Sequence, residues 1–224
     1  MVGPLTLTDP SPILTWQTML TAFMDTLGLK KADVFDYSMG AITGLQLAIH
    51  HPEKVNKLIS CSGSYDIEGR QPEFKNLIPQ MTVEMFLNTP FAEDYRKLAP
   101  NPDGFPALAE KLIALQKEPM AWEEDVKKIE TPVLIIAGDA DGTTLKHTIA
   151  MFQLLGGGVM GDMDKPLPDS RLAIMPATSH TAVITQTDLL IAFIEPFLKG
   201  ETPKDLWNRL WQWDELNALL GVLM

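Results

Sequence analysis

A single cysteine, Cys61, among 224 residues excludes an internal disulfide and any metal site built on paired cysteines. Long apolar runs are missing as well, none reaching the roughly 20 residues that span a bilayer. The first residues lack the basic-then-apolar order of a secretory leader. The expectation is therefore a cytoplasmic protein with no membrane partner. Positive charge is also scarce, with 18 Lys and Arg against 29 Asp and Glu and a net charge of −11. Such a surface repels phosphate backbones, which argues against a nucleic acid partner. Internal repeats and low-complexity stretches are absent. The 46% of hydrophobic and 21% of charged residues are a globular balance, sufficient for one sizeable core.

Along the chain, Trp16, Met19, Leu20, Phe23 and Leu27 recur at helical spacing, and Gly28 follows as a stop. A short apolar run from Asp33 to Phe35 leads into Asp36-Tyr37-Ser38-Met39-Gly40. Helical character from Ala41 to His51 is then closed by Pro52. Residues 54–60 read as a second strand and residues 62–64 as its loop. Residues 132–137 (PVLIIA) and 171–175 read as further strands, followed by the loops 138–142 and 176–180. Helices are expected over 145–155 and 181–198. Strands alternating with helices predict an α/β fold, a mainly parallel sheet with flanking helices. Segment 71–130 interrupts the alternation with short helical patterns, 81–87 and 107–115 among them, broken by prolines. It is expected to be a small helical cap inserted between core segments 1–70 and 131–200. Residues 201–224 carry a wide apolar stripe from Leu206 to Leu220, expected to be a C-terminal amphipathic helix.

Ser38 lies on a strand-to-helix turn, which would expose its hydroxyl above a helix N-terminus, with the Met39 N–H facing a developing oxyanion. The same position also suits a serine that merely caps the helix. An acid on the loop after one strand (Asp139 or Asp141) and a histidine after the next (His180) give the chain order Ser, Asp, His. Of the other histidines, His50 and His51 end a helix and suit a structural role there. His147 is expected to face solvent.

The segments VFDYSMGAITGLQLAIHHPEKVNKLI, PVLIIAGDADGTT and ATSHTAV resemble the α/β-hydrolase family, in its microbial esterase and haloperoxidase-like branch. The resemblance covers residues from about 12 to 199. It implies Ser38 as nucleophile, Asp141 as the acid in preference to Asp139, and His180 as base. It implies a serine carboxylic ester hydrolase acting through an acyl-enzyme on small apolar acyl esters, needing neither metal nor organic cofactor. The alternative is a non-catalytic protein of the same fold that binds a ligand or partner. Met81, Met85 and Phe86 are candidate pocket residues, with Phe74, Phe91 and Met120 beside them; Met and aromatic side chains at helical spacing also suit a plain core.

Two departures from the family pattern matter. Asp36 stands where the motif has glycine, so it is expected to strain or shift the turn, or else to point away into solvent. The family's earlier strands and its His-Gly loop find no counterpart, which implies an N-terminally truncated fold with residues 33–37 on an edge strand. Residues 5–8, the tryptophan-rich tail or a second copy of the chain are the candidates to cover that edge. A homodimer is the favoured expectation.

Overall fold

The two most apolar segments form the centre of a four-stranded sheet, where both faces need covering. In the computed structural model, which describes residues 12–161 and 167–203, the strands are β1 (Ala32–Tyr37), β2 (Val55–Cys61), β3 (Val133–Ala140) and β4 (Arg171–Ser179). They lie in sequence order and every neighbouring pair is parallel. Along β2 and β3 successive side chains alternate between faces. Leu58, Val133 and Ile135 join one core with Leu45, Leu47 and Met151. Ile59, Leu134 and Ile136 join the other with Met175, Leu190 and Phe197. Each fully buried Leu, Ile or Phe of these layers contributes about 1.5–3 kcal/mol relative to exposure.

The helices carrying those side chains follow from the connections. Helix α1 (Pro12–Thr26) ends at Gly28, whose φ of 70° suits glycine. Helices α2 (Met39–His50) and α7 (Leu145–Leu154) cover one face of the sheet, and α8 (Thr187–Leu198) covers the other. Between β2 and β3 the chain runs through α3 (Pro72–Leu77), α4 (Pro90–Leu98), α5 (Phe105–Lys117) and α6 (Glu123–Val126). Trp16 of α1, Ile42 of α2 and Leu115 of α5 share a small cluster that fastens this segment to α1 and α2. None of the described helices is long and apolar enough to cross a membrane.

Three local expectations need correction. Residues 81–87 form one 3-10 turn (Val83–Met85) rather than a helix. Thr89 precedes Pro90, and a residue before proline is pushed away from helical geometry. The last helix begins at Thr187, not Thr181. Val183 is buried in the core, and the Gln186 amide donates to the Thr178 hydroxyl at 2.7 Å, so a short 3-10 turn separates the loop from the helix. Strand β4 runs on to Ser179 because the Asp139 carboxylate accepts from the Ala177 and Thr178 N–H groups, both at 2.9 Å, at the point where Ala177 takes φ 51°.

β1 is at one edge of the sheet, its Phe35 46% exposed. Among the described residues nothing pairs with its free side. The candidate strand at residues 5–8 and the tail stripe at 206–220 lie outside the described residues.

Candidate active site

Parallel strands point their carboxyl ends the same way, and the polar residues follow directly after them. β1 ends at Tyr37, and the chain turns at Ser38 with φ 57° and ψ −116°. Left-handed backbone at a residue with a Cβ costs on the order of 1–3 kcal/mol and persists only where its surroundings enforce it. Here the Ser38 N–H donates to the Cys61 carbonyl at 2.9 Å, continuing the β1–β2 ladder through the turn. The Ser38 side chain makes no capping bond to α2; its Oγ lies 2.9 Å from His180 Nε2 instead. Ser38 thus stands at the N-cap position of α2, but its hydroxyl does not cap the helix. Met39 is the first residue of α2, so its N–H belongs to the unpaired, positive end of the helix.

Asp36 itself carries no left-handed backbone, and its carboxyl does not point into solvent. The strain sits two residues on, at Ser38. The Asp36 carboxyl turns inward against α2. A methyl group on Gly44 would stand 2.1 Å from Asp36 Oδ2, and one on Gly40 3.3 Å from Oδ1. The two glycines, one helical turn apart, thus make the recess that holds the carboxyl. Asp36 Oδ2 is buried without a hydrogen-bond partner, and burial pushes its pKa up to about 7.

The loop after β3 carries Asp141, which is 3% exposed. Its Oδ1 lies 2.6 Å from His180 Nδ1 and accepts the Gly142 N–H at 2.6 Å. Its Oδ2 accepts from the Ser62 hydroxyl at 2.6 Å and from the Gly138 N–H at 3.2 Å. Burial alone would raise this carboxyl. The hydrogen bonds from His180, Ser62 and Gly138 outweigh it and hold the group below its ordinary value. His180, on the turn after β4, is fixed from a second side: the Tyr37 hydroxyl donates to its carbonyl at 2.8 Å, and the two rings lie 5.2 Å apart. Asp139 is occupied with the turn at residues 177–178 and is not the histidine's partner. Hydroxyl, imidazole and buried carboxylate form one hydrogen-bonded line, a geometry in which a proton can pass from Ser38 to His180 while Asp141 fixes the tautomer.

A cleft of about 160 Å³ opens over this line, walled by Ser38, Ser62, Ser64, Arg70, Gln116 and His180 among others. Gln116 is shared with a larger apolar chamber of about 360 Å³, whose walls include Met39, Met81, Phe86, Phe91 and Leu112. Met81, Phe86 and Phe91 therefore line this chamber. Met85 does not: on its 3-10 turn it points outward, 49% exposed. Phe74 lines the cleft rather than the chamber, and Met120 is plain core, packed with Ile42 and Leu115.

His147 also departs from expectation. It is 8% exposed, stacked on Tyr65 with ring centroids 4.1 Å apart. Its Nε2 lies 3.1 Å from the Ser64 Oγ and accepts the Tyr65 N–H. Burial pulls its pKa down to about 4, so the ring is neutral. The first turn of α7 faces the loop after β2, not solvent. Sequence reasoning missed Tyr37, Ser62 and Arg70. A tyrosine directly before the turn and hydroxyls after β2 were visible signals; the burial of Arg70 was not.

A sequence profile for the α/β hydrolase fold matches residues 12–79. The provisionally named carbamate hydrolase RutD of Caulobacter sp. (strain K31) is 25% identical, the match covering 88% of this chain and 76% of that one. A pimeloyl-[acyl-carrier protein] methyl ester esterase of Legionella pneumophila (strain Corby) is 23% identical over 84% of this chain and 79% of that one. Among solved structures, the α/β hydrolase MGS-M2 from a Medee basin deep-sea metagenome library superposes with a TM-score of 0.62 at 17% identity. That match covers 89% of this chain and 76% of the other.

Proposed function

Taking as premise a chain with the α/β-hydrolase fold, we propose that it is a serine carboxylic ester hydrolase working through an acyl-enzyme on small apolar acyl esters. The observation that carries this reading is the 2.9 Å approach of Ser38 Oγ to His180 Nε2 at a left-handed turn, with Asp141 2.6 Å behind the imidazole. His180 Nε2 takes the hydroxyl proton as Ser38 Oγ attacks the ester carbonyl carbon. The carbonyl oxygen becomes an oxyanion facing the Met39 N–H at the start of α2, where the helix dipole favours negative charge. Collapse of the tetrahedral intermediate breaks the bond to the alcohol oxygen, and His180 gives that oxygen its proton. Water then enters, loses a proton to His180 and attacks the acyl carbon, releasing the acid and returning the proton to Ser38.

Asp141 stays ionised throughout. Its four donors and its depressed pKa suit a group that orients His180 and stabilises the imidazolium without taking the proton. The chamber beside Met39 offers an apolar wall for the apolar part of the substrate. Turnover of chromogenic short-chain acyl esters, run beside Ser38→Ala and His180→Ala, tests the reading. The expected result is turnover by the native chain and a fall to near background in both variants. Absence of turnover in the native chain would favour the non-catalytic binding reading.

A further inference from the structure

The cleft over Ser38 contains a charge that the hydrolytic steps do not use. Arg70 follows the 3-10 turn Ile67–Gly69 after β2 and is 3% exposed. Its backbone pairs with Thr143, and the next residue's N–H donates to the Gly142 carbonyl at 2.8 Å, so the residue is tied to the loop that carries Asp141. A guanidinium has five N–H donors and remains protonated in proteins. Two of its nitrogens reach protein acceptors: Nη1 donates to the Gln116 carbonyl at 3.0 Å, and Nη2 approaches the Met120 sulfur at 3.8 Å. The remaining donors have no acceptor among the described residues, and no carboxylate there forms an ion pair with it. The guanidinium carbon lies 5.6 Å from the centroid of the Phe74 ring, which walls the same cleft.

An unpaired buried cation is expensive, and proteins keep buried charges where they meet an opposite charge. Binding the Gln116 carbonyl alone would need only a neutral donor. Asp141 is not the missing partner, because its oxygens are taken by His180, Ser62 and two backbone N–H groups. The planar fork of arginine matches a carboxylate bidentately.

We propose that Arg70 is the anchor for a carboxylate carried by the substrate, so that the ester cleaved at Ser38 is a half-ester of a short dicarboxylic acid or a close analogue. The inference rests on the esterase reading for the bond that is cleaved, and it replaces the wholly apolar acyl group of that reading with one that ends in a carboxylate. At about 160 Å³ the cleft is smaller than a pocket for a whole drug-sized ligand. Carboxylate and scissile carbonyl are therefore separated by only a few bonds. The apolar remainder crosses Gln116 into the 360 Å³ chamber. Gln116, which lines both cavities, has its Oε1 buried without a partner.

The decisive experiment measures binding before turnover. Ser38→Ala protein is titrated calorimetrically with the monoethyl esters of succinate and glutarate, and with the matching neutral amides. The charged esters are expected to bind about tenfold or more tighter, as a charged hydrogen-bonded pair requires. In the same background Arg70→Met removes the preference and Arg70→Lys retains part of it. With Ser38 intact, Arg70→Met lowers the ratio of kcat/KM for half-ester over amide by a similar factor, through KM. A merely structural arginine would move both substrates together and leave that ratio unchanged. Equal affinity for charged and neutral esters, or an unchanged preference in folded Arg70→Met, overturns the proposal. If Arg70→Met does not fold, Arg70→Lys and the charged-against-neutral comparison decide. A native chain that binds half-esters selectively but never cleaves them defeats the esterase reading and leaves the carboxylate anchor standing.

Discussion

Replacing Asp36 by asparagine removes a proton-binding group from the recess between β1 and α2 while nearly keeping its shape. The carboxyl has an ordinary value of 3.8 and is raised by burial to about 7. Its protonated form is thus the one the fold accepts. A carboxyl whose folded pKa lies above the unfolded value makes its full contribution to stability below about pH 4. That contribution is lost progressively as pH rises to about 7, and no further loss follows above it. The slope in this window is at most about 1.4 kcal/mol per pH unit, so the ionised carboxyl weakens the fold by up to roughly 4 kcal/mol. Asp36→Asn cannot ionise and escapes that loss. Urea denaturation of both proteins at intervals from pH 4.5 to 8.5 should show the variant gaining on the native chain up to about pH 7 and holding its advantage beyond. A stability difference that stays flat across this range would refute the burial of an unpaired carboxylate beneath the turn.

Gly44→Ala would put a methyl group 2.1 Å from Asp36 Oδ2 and 3.0 Å from a Leu58 methyl. The variant should lose about 1–3 kcal/mol by overpacking, and the double variant Asp36→Gly, Gly44→Ala should recover most of it in thermal melts. Ser62→Ala removes a hydroxyl donor from the Asp141 carboxylate and should cost about 1.5–3 kcal/mol at pH 7. Asp141 has a depressed pKa, so that contribution is complete above the ordinary value and is lost as pH falls through the folded one. The deficit measured by denaturation should accordingly shrink in acid. Phe35, 46% exposed on the edge strand β1, suits a surface covered by a second copy. The native chain is expected to sediment as a dimer and Phe35→Lys as a monomer, whereas a native monomer at high concentration would exclude that arrangement.

The sequence carried the fold where a pattern is local. The continuous apolar run at 132–137 and the apolar end of 54–60 specify strands buried on both faces, and the loop after 132–137 holds Asp141 and the loop one strand later His180. Ser38 was legible as a polar residue at a strand-to-helix turn. Its left-handed backbone and its turn away from the helix end required the neighbouring Cys61 carbonyl and His180 ring. Asp36 was misread because its destination is set by two glycines four and eight residues later, a relation that exists only once helix and strand are packed. His147 depends on Tyr65, 82 residues away, and so looked like a surface residue of an amphipathic helix. Met85 and Phe86 are neighbours with opposite outcomes, because a 3-10 turn rotates side chains differently from the helix their spacing suggested. Arg70 gave no local signal at all, since a buried charge is defined by what surrounds it.

The central claim is that Ser38 is a nucleophile activated by His180, and covalent trapping tests it most directly. Native protein incubated with a fluorophosphonate should gain one adduct per chain by intact mass, and peptide mapping should place it on Ser38. His180→Ala should label far more slowly, and Ser38→Ala should not label. An adduct on any other residue, or equal labelling of Ser38→Ala, would contradict the account.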